Sequence, residues 1–437
     1  MGIIKNIRLG LLHVAVAITF VLINGILNRV MIHDLGIAAS VVAVLVVLPY
    51  LLSPAQVWIG QYSDTHPIFG YRRTPYIALG IALCIGGMLL TPHAAFLMAP
   101  AGSTGLSTAG LLLGGLAFGM WGVGYNLAVV AYLSLASDLS DELHRSRTIA
   151  IMWFMMIVSI IITAIVTSRA LDPYSPDVLI AVFLKAGGVA IALMVLGLIG
   201  LEPRGTIFTA QTRHSQQAAI RAVLDNPQAR LFFIYLILLL AAILGQDVLL
   251  EPFGATAFNM SIKETTQLTA IWGGATLVAL LLHGLLLSRW LNKKTGATVG
   301  AVIATLGLVL IAASGMFGIR ALFVPGVAAL GFGTGFSTAT NLALMLDMTT
   351  TEQVGLFIGA WGLADSLARG VGTLLGGVVR DVITTLTNSA SGGYVTVFVI
   401  EAALLVVSLV LLQRINVASF RKHQPSLTEL VALTGDA

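Results

Sequence analysis

Long apolar runs separated by short polar stretches dominate this chain. A helix needs ~20 apolar residues to cross a bilayer, and lipid requires every backbone group to be satisfied within the membrane. The pattern predicts spans at 9–31, 38–59, 75–98, 108–135, 148–169 and 178–201. A second series follows at 231–250, 266–288, 297–315, 320–346, 354–378 and 394–413. The expectation is therefore an all-α integral membrane protein with about twelve transmembrane helices.

Composition strengthens that picture. Apolar types make up 57% of the 437 residues and charged types 10%, against ~25% charged in soluble domains. Most of the 23 Lys and Arg fall in loops on the side of the N-terminus, among them Lys5, Arg8, Arg72, Arg73, Arg145, Arg147, Arg204, Lys293 and Lys294. The positive-inside rule then predicts cytoplasmic termini in a bacterial inner membrane, and the net charge of +4 reads as topology rather than as affinity for nucleic acid. The first span follows Lys5 and Arg8 but is too long for a signal peptide and lacks a small-residue cleavage site, so it is expected to be retained. Cys84 is the single cysteine, which excludes an intrachain disulfide and argues against a cysteine metal site. No segment is large enough for a separate catalytic domain, and a phosphate-cradling loop is absent, so an enzyme is not expected.

The chain also repeats itself. Gly122, Gly124 and Asp138 recur at one constant offset as Gly331, Gly333 and Asp347, with Trp153 and Trp361 following. The predicted organisation is a six-helix half at 1–201, a cytoplasmic linker at 202–230, a second half at 231–414 and a tail at 415–437. In the linker, 214–224 reads either as a short interfacial helix or as a solvated connection. Two six-helix halves are the arrangement of the major facilitator fold. Gly114, Gly115, Gly119, Gly122 and Gly124 are expected to allow close helix approach.

Between the second and third spans lies a loop containing Gly60, Asp64, Gly70, Arg72 and Arg73. It resembles the Gly, Asp, Gly, Arg-Arg loop that facilitator proteins carry there. An acid at a helix N-terminus and arginines on acids or carbonyls would latch the halves on the cytoplasmic side. The alternative is ordinary positive-inside charge. The spacing departs from the general motif, since Asp64 and Gly70 stand further apart and Thr65 replaces a cation. With Arg72-Arg73-Thr74-Pro75-Tyr76-Ile77, and with Asp247-Val-Leu-Leu-Glu251-Pro252-Phe253-Gly254 continuing to Thr265-Thr266, the chain resembles the bacteriochlorophyll-delivery (PucC/LhaA-like) family of the major facilitator superfamily.

Polar groups at membrane depth are costly and are site candidates by default. Asn24, Asn28 and Arg29 close the first span, and Gln246, Asp247 and Glu251 close the seventh. They form either a polar cluster at the mouth of a central cavity, with Arg29 facing an acid across the halves, or a water-exposed interfacial cap. Pro252 and Gly254 are expected to break the helix just after the acids. Asp365 and Arg369, four apart in the eleventh span, predict an ion pair that either orients the helix or serves gating. His283, ahead of His13, is the candidate magnesium ligand for a pigment, packing being the other fate of such a histidine. Trp121, Trp153, Trp272 and Trp361 flank a macrocycle or simply pack.

The family resemblance implies an assembly factor for light-harvesting antenna complexes, with bacteriochlorophyll as cargo rather than resident cofactor. Its implied partners are the bilayer, antenna polypeptides and enzymes of pigment synthesis. A proton-coupled transporter of a small amphipathic solute is the alternative.

Overall fold

Several helices begin where the sequence supplies a proline or a capping side chain. In the computed structural model, which describes residues 2–99, 105–140, 142–205, 220, 223–349 and 354–416, Pro75, Pro176 and Pro227 each open a helix, where a missing N–H costs nothing. Ser107, Ser175, Asn226 and Asn292 cap helix N-termini by accepting backbone N–H bonds. The side chains of Val57, Gln61, Asp64, residues 142–146, Asp347, Met348 and residues 354–356 are not described.

The elements are α1 (Ile3–Asp34), α2 (Ala39–Leu51), α3 (Ala55–Thr65), α4 (Thr74–Met98), α5 (Thr108–Leu139), α6 (Glu142–Ala170) and α7 (Pro176–Leu198). They continue as α8 (Pro227–Val248), α9 (Leu250–Phe258), α10 (Ile262–Leu285), α11 (Lys293–Phe317), α12 (Arg320–Met348), α13 (Val354–Thr387) and α14 (Ala390–Arg414). Among the described residues, 10 helices are long and apolar enough to cross a membrane. Two expected spans fall outside that set for physical reasons. The second stops at Leu51, where a turn at 52–54 separates α2 from α3. The eleventh, α13, has the length but carries Asp365, Arg369, Arg380 and Asp381.

Contacts divide the chain into two compact units. One comprises Met1–Ala210, Asp247–Gly274 and Gly376–Tyr394; the other comprises Gln211–Gln246, Ala275–Leu375 and Val395–Ala437. The first unit thus takes in two short segments from late in the chain. Its central helix is α1, whose apolar window is 83% buried, whereas that of α6 is only 22% buried and turns outward. Arg8 on α1 donates to the carbonyls of Leu196, Gly197 and Ile199, a cation on the C-terminal end of α7.

Helix pairing repeats within each unit. A Cβ on Gly124 of α5 would lie 2.5 Å from the Cys84 nitrogen and 2.6 Å from the Gly80 oxygen of α4. In the other unit, Gly333 of α12 meets Ala304 and Gly300 of α11 in the same way, and Gly87 and Gly307 have equivalent close neighbours. These backbones touch because no side chain intervenes. The glycine reading needs one correction: Gly115 and Gly119 face open space and serve no close approach.

The break between α2 and α3 is satisfied from a neighbour. Asn126 of α5, 1% exposed, donates to the Pro49 carbonyl at 2.8 Å and to Gly122 at 2.8 Å, and accepts from Gln56. A second correction follows, because Gly60 to Thr65 is helical rather than loop. In the linker, α8 starts at Pro227, a turn earlier than expected, and most of 214–224 lies outside the described residues.

Candidate functional site

Two polar clusters lie at opposite ends of the first unit. At the near end, where α1 begins, a carboxylate caps α4. Glu202, just beyond α7, accepts from the backbone N–H groups of Arg72 (2.8 Å), Arg73 (3.0 Å) and Thr74 (2.7 Å), and from the Thr74 hydroxyl (2.7 Å). A negative charge at a helix N-terminus is the favourable sense of the dipole. Arg73 turns inward, 2% exposed, donating to Asp138 of α5 at 3.2 Å and to the Ser63 hydroxyl of α3 at 2.5 Å. Gly70 takes φ +81°, a conformation that disfavours any side chain, and its carbonyl receives the Gly205 N–H at 3.1 Å.

The sequence sets an acid of the loop, Asp64, against the N-terminal end of a neighbouring helix. The structure places Glu202, a distant acid, on the α4 N-terminus, while the Asp64 side chain lies outside the described residues. Ser63, Asp138 and Glu202 complete the cluster. Asp138 was visible in the sequence only as a landmark of the repeat, and Glu202 looked like a linker charge.

At the far end, α1 is distorted. Val21–Leu27 and Val30–Asp34 are π-helical, a winding with i→i+5 backbone bonds that leaves a carbonyl without its usual donor where it joins the α-helix and often marks functional positions. Asn24 and Asn28 answer part of that need by donating to the carbonyls of Phe20 (3.1 Å) and Asn24 (2.8 Å). Arg29 does not face an acid of the seventh span, which corrects that expectation. It pairs with Asp34 on its own helix and donates to the Met260 carbonyl at 3.3 Å. His33 contacts the other Asp34 oxygen at 2.9 Å. On the α6–α7 turn, burial and the Asp34 carboxylate raise the Tyr174 hydroxyl above the ordinary phenol value, with Arg29 opposing.

The acids of the seventh span sit on two pieces of helix. The break falls before Glu251, at the tight turn Gly245–Val248, so Asp247 and Glu251 do not share one continuous helical face. Pro252 occupies the first turn of α9, where proline is tolerated, and Gly254 lies inside it. Glu251 is 5% exposed and accepts from Thr269 of α10 at 2.8 Å. Gly25 faces that pair, since a Cβ there would stand 2.9 Å from the Thr269 hydroxyl. Gln246, in the other unit, is buried and donates to Ile243 one turn back.

The first unit also carries a clasp between sequence-distant segments. Asp381 of α13 accepts from the backbone of Ala39 (3.2 Å) and Ser40 (2.7 Å), capping α2. Arg380 pairs with Asp381 at 2.8 Å and lies over the Tyr394 ring at 4.7 Å.

The histidines pack. His13 is buried against Tyr132 (5.1 Å) and Trp153 (6.0 Å). His283 is 7% exposed, edge-on to Phe336 at 5.3 Å, so a macrocycle reaches its nitrogen only if that packing opens. Trp121 is buried and donates to the Thr19 hydroxyl at 3.0 Å.

In the second unit Arg369 donates to Asp365 at 3.1 Å, the side chains being 24% and 33% exposed. Such a pair falls short of the ~3–5 kcal/mol of a fully buried one; about 1–2 kcal/mol suits a polar contact in a membrane helix. Asp365→Ala and Arg369→Ala are each expected to lower the thermal midpoint of purified protein, with the double variant recovering more than half the loss. A double variant whose loss equals the sum of the two single losses would mean that the charges are independent.

Comparison with known proteins agrees with this architecture. Superposition on a bacterial homologue of the human lysosomal transporter Spinster, in an inward-facing and occupied conformation, gives a TM-score of 0.70 at 14% identity, covering 97% of this chain and 98% of the other. A D-xylose–proton symporter gives 0.70 at 12% identity, covering 94% of this chain and 97% of that one. At such identities the likeness defines the fold alone: a multi-pass membrane protein of the major facilitator class. Within that class the match is more specific. Residues 26–420 match the family described as PUCC protein. Protein PucC of Cereibacter sphaeroides is 32% identical, covering 93% of this chain and 91% of its own. Protein PucC of Rhodovulum sulfidophilum is 33% identical, covering 89% and 87%. A Rhodobacter capsulatus protein named bacteriochlorophyll synthase 44.5 kDa chain is 30% identical, covering 93% and 94%. The chain belongs to the PUCC protein family.

Proposed function

We propose that this protein is a non-enzymatic assembly factor for bacterial light-harvesting complexes, handling bacteriochlorophyll, antenna polypeptides or both within the inner membrane. The observation that carries this reading is membership of the PUCC family over residues 26–420. The membrane scaffold supports it, because a tailed pigment and a single-span polypeptide both partition into lipid and are met there. Cytoplasmic termini and two six-helix halves joined by 202–230 belong to the same proposal, the first supported by the loop charges.

A clean gene deletion in a phototrophic host tests it. Assembled antenna absorbance is expected to fall while free pigment is still made; normal antenna absorbance, without a paralogue present, counts against assembly. The name of the Rhodobacter capsulatus relative favours a second reading, a subunit of pigment synthesis. That reading predicts loss of pigment itself with accumulation of its precursor.

A further inference from the structure

One carboxyl at the far end of the first unit lacks the counter-ion its burial demands. Glu251 is 5% exposed; Oε1 accepts from the Thr269 hydroxyl at 2.8 Å, and Oε2 meets no donor. The nearby cation is already committed, since Arg29 pairs with Asp34 and donates to the Met260 carbonyl. The closest charge along the chain, Asp247, has the same sign. An ionised carboxylate taken out of water without a partner is so costly that such a group takes up a proton instead.

The surroundings suit a neutral acid. Gly25 of α1 abuts Thr269, and one turn further along α1 stands Asn28, fully buried, with its Oδ1 unpartnered. That oxygen is an acceptor only, and a protonated carboxyl supplies an O–H donor that an ionised one does not. Thr266 on α10, also fully buried, has an unpartnered hydroxyl.

We propose that Glu251 is a proton-binding site that holds α1 against the α9–α10 segment, taking its proton from water as the contact forms and returning it as the contact loosens. Other charged or titratable groups at this end of the packed elements are Arg29, His33 and Asp34 on α1, Tyr174 on the α6–α7 turn, Asp247 before α9, and Lys263 and Glu264 on α10; Lys5, Arg8 and His13 stand earlier on α1, and His283 at the other end of α10. Tyr394, which packs on Phe253 of α9, has Arg380 and Asp381 beside it. Lys263 is paired with Asp172 at 2.9 Å and is 43% exposed, so it is screened from the interior. The proposal concerns the scaffold and stands or falls independently of its cargo.

The test uses the full-length protein in lipid nanodiscs, with Cys84→Ser removing the lone cysteine and Met260→Cys reporting on the buried contact. A group protonated when packed and ionised when released loses its hold as pH rises. Normalised at each pH to the reagent's rate with a free thiol, labelling is therefore expected to rise about tenfold from mildly acid to alkaline pH, the change one pKa unit of coupling delivers. Glu251→Gln, neutral at every pH, is expected to label slowly throughout and to lose a carboxylic-acid C=O stretch from the infrared difference spectrum. Thr269→Val removes a bond that favours the ionised form, so its labelling profile should move to higher pH; this variant serves if Glu251→Gln does not fold. The same pH profile in Glu251→Gln as in the parent, or an unmoved profile in Thr269→Val, overturns the proposal. So does labelling that follows sodium rather than pH.

Discussion

Glu202→Ala is expected to destabilise the purified protein more than any exchange of a single exposed arginine. The Glu202 carboxylate answers three backbone N–H groups and a hydroxyl at the start of α4 and is itself only 5% exposed. Losing a cap costs ~0.5–2 kcal/mol, and each buried donor left unanswered adds ~1–3 kcal/mol before water enters. Because the loop is half open to water, the net loss should be about 2–4 kcal/mol. Glu202→Gln keeps one acceptor oxygen and should lose roughly half as much. Thermal unfolding of the three proteins in the same detergent measures the order. If Glu202→Ala melts with the parent, water replaces the carboxylate at no cost and the cap has no stabilising role.

A second large effect is expected at the clasp. Asp381→Ala removes both acceptors from the Ala39 and Ser40 amides, releasing the N-terminus of α2, and leaves Arg380 without its acid. The expected loss is about 2–4 kcal/mol, the cap together with an uncompensated, largely buried cation. The visible consequence is local. A Ser40→Cys reporter in a Cys84→Ser background should label several-fold faster when Asp381 is Ala, and at an intermediate rate when it is Asn. Equal rates in all three would show that α2 is held by its packing. Gly377 gives that packing a measurable part, because its Cβ position would stand 2.8 Å from the Ala39 carbonyl.

Helix positions were legible because lipid imposes one rule on every span, that apolar length must match membrane thickness. The failures occur where local chemistry overrides that rule. The run at 38–59 reads as one span, yet the chain turns at 52–54 and Asn126, far away in sequence, answers the freed Pro49 carbonyl. Likewise the seventh span reads as a continuous helix ending at Pro252, whereas the turn falls at Gly245–Val248 and proline begins the next piece.

Site residues were legible by type and less so by partnership. Arg29, Glu251, Arg73, Asp365 and Arg369 stand out because charge is rare in such a chain. Spacing along a helix pairs Asp365 with Arg369, and the structure has that bond. Spacing is silent about contacts between distant segments, so Arg73 with Asp138, Glu202 with the α4 amides and Asp381 with α2 emerge only from the fold. Arg29 shows the opposite error. A partner sought across the molecule sits five residues away, because π winding changes which side chains meet.

The glycine crossings of α4 with α5 and of α11 with α12 bear on how the chain is made. Each joins helices adjacent in sequence, the second through a short turn at Gly318, where φ is +68°. Contacts between neighbours in sequence close early, since little chain entropy is lost in bringing them together. Each hairpin is thus able to pair while later segments are still being synthesised, entering the bilayer as a ready-made wedge around which the remaining helices gather. A bulkier residue at Gly124 or Gly333 would act during biogenesis, reducing the number of molecules that complete insertion.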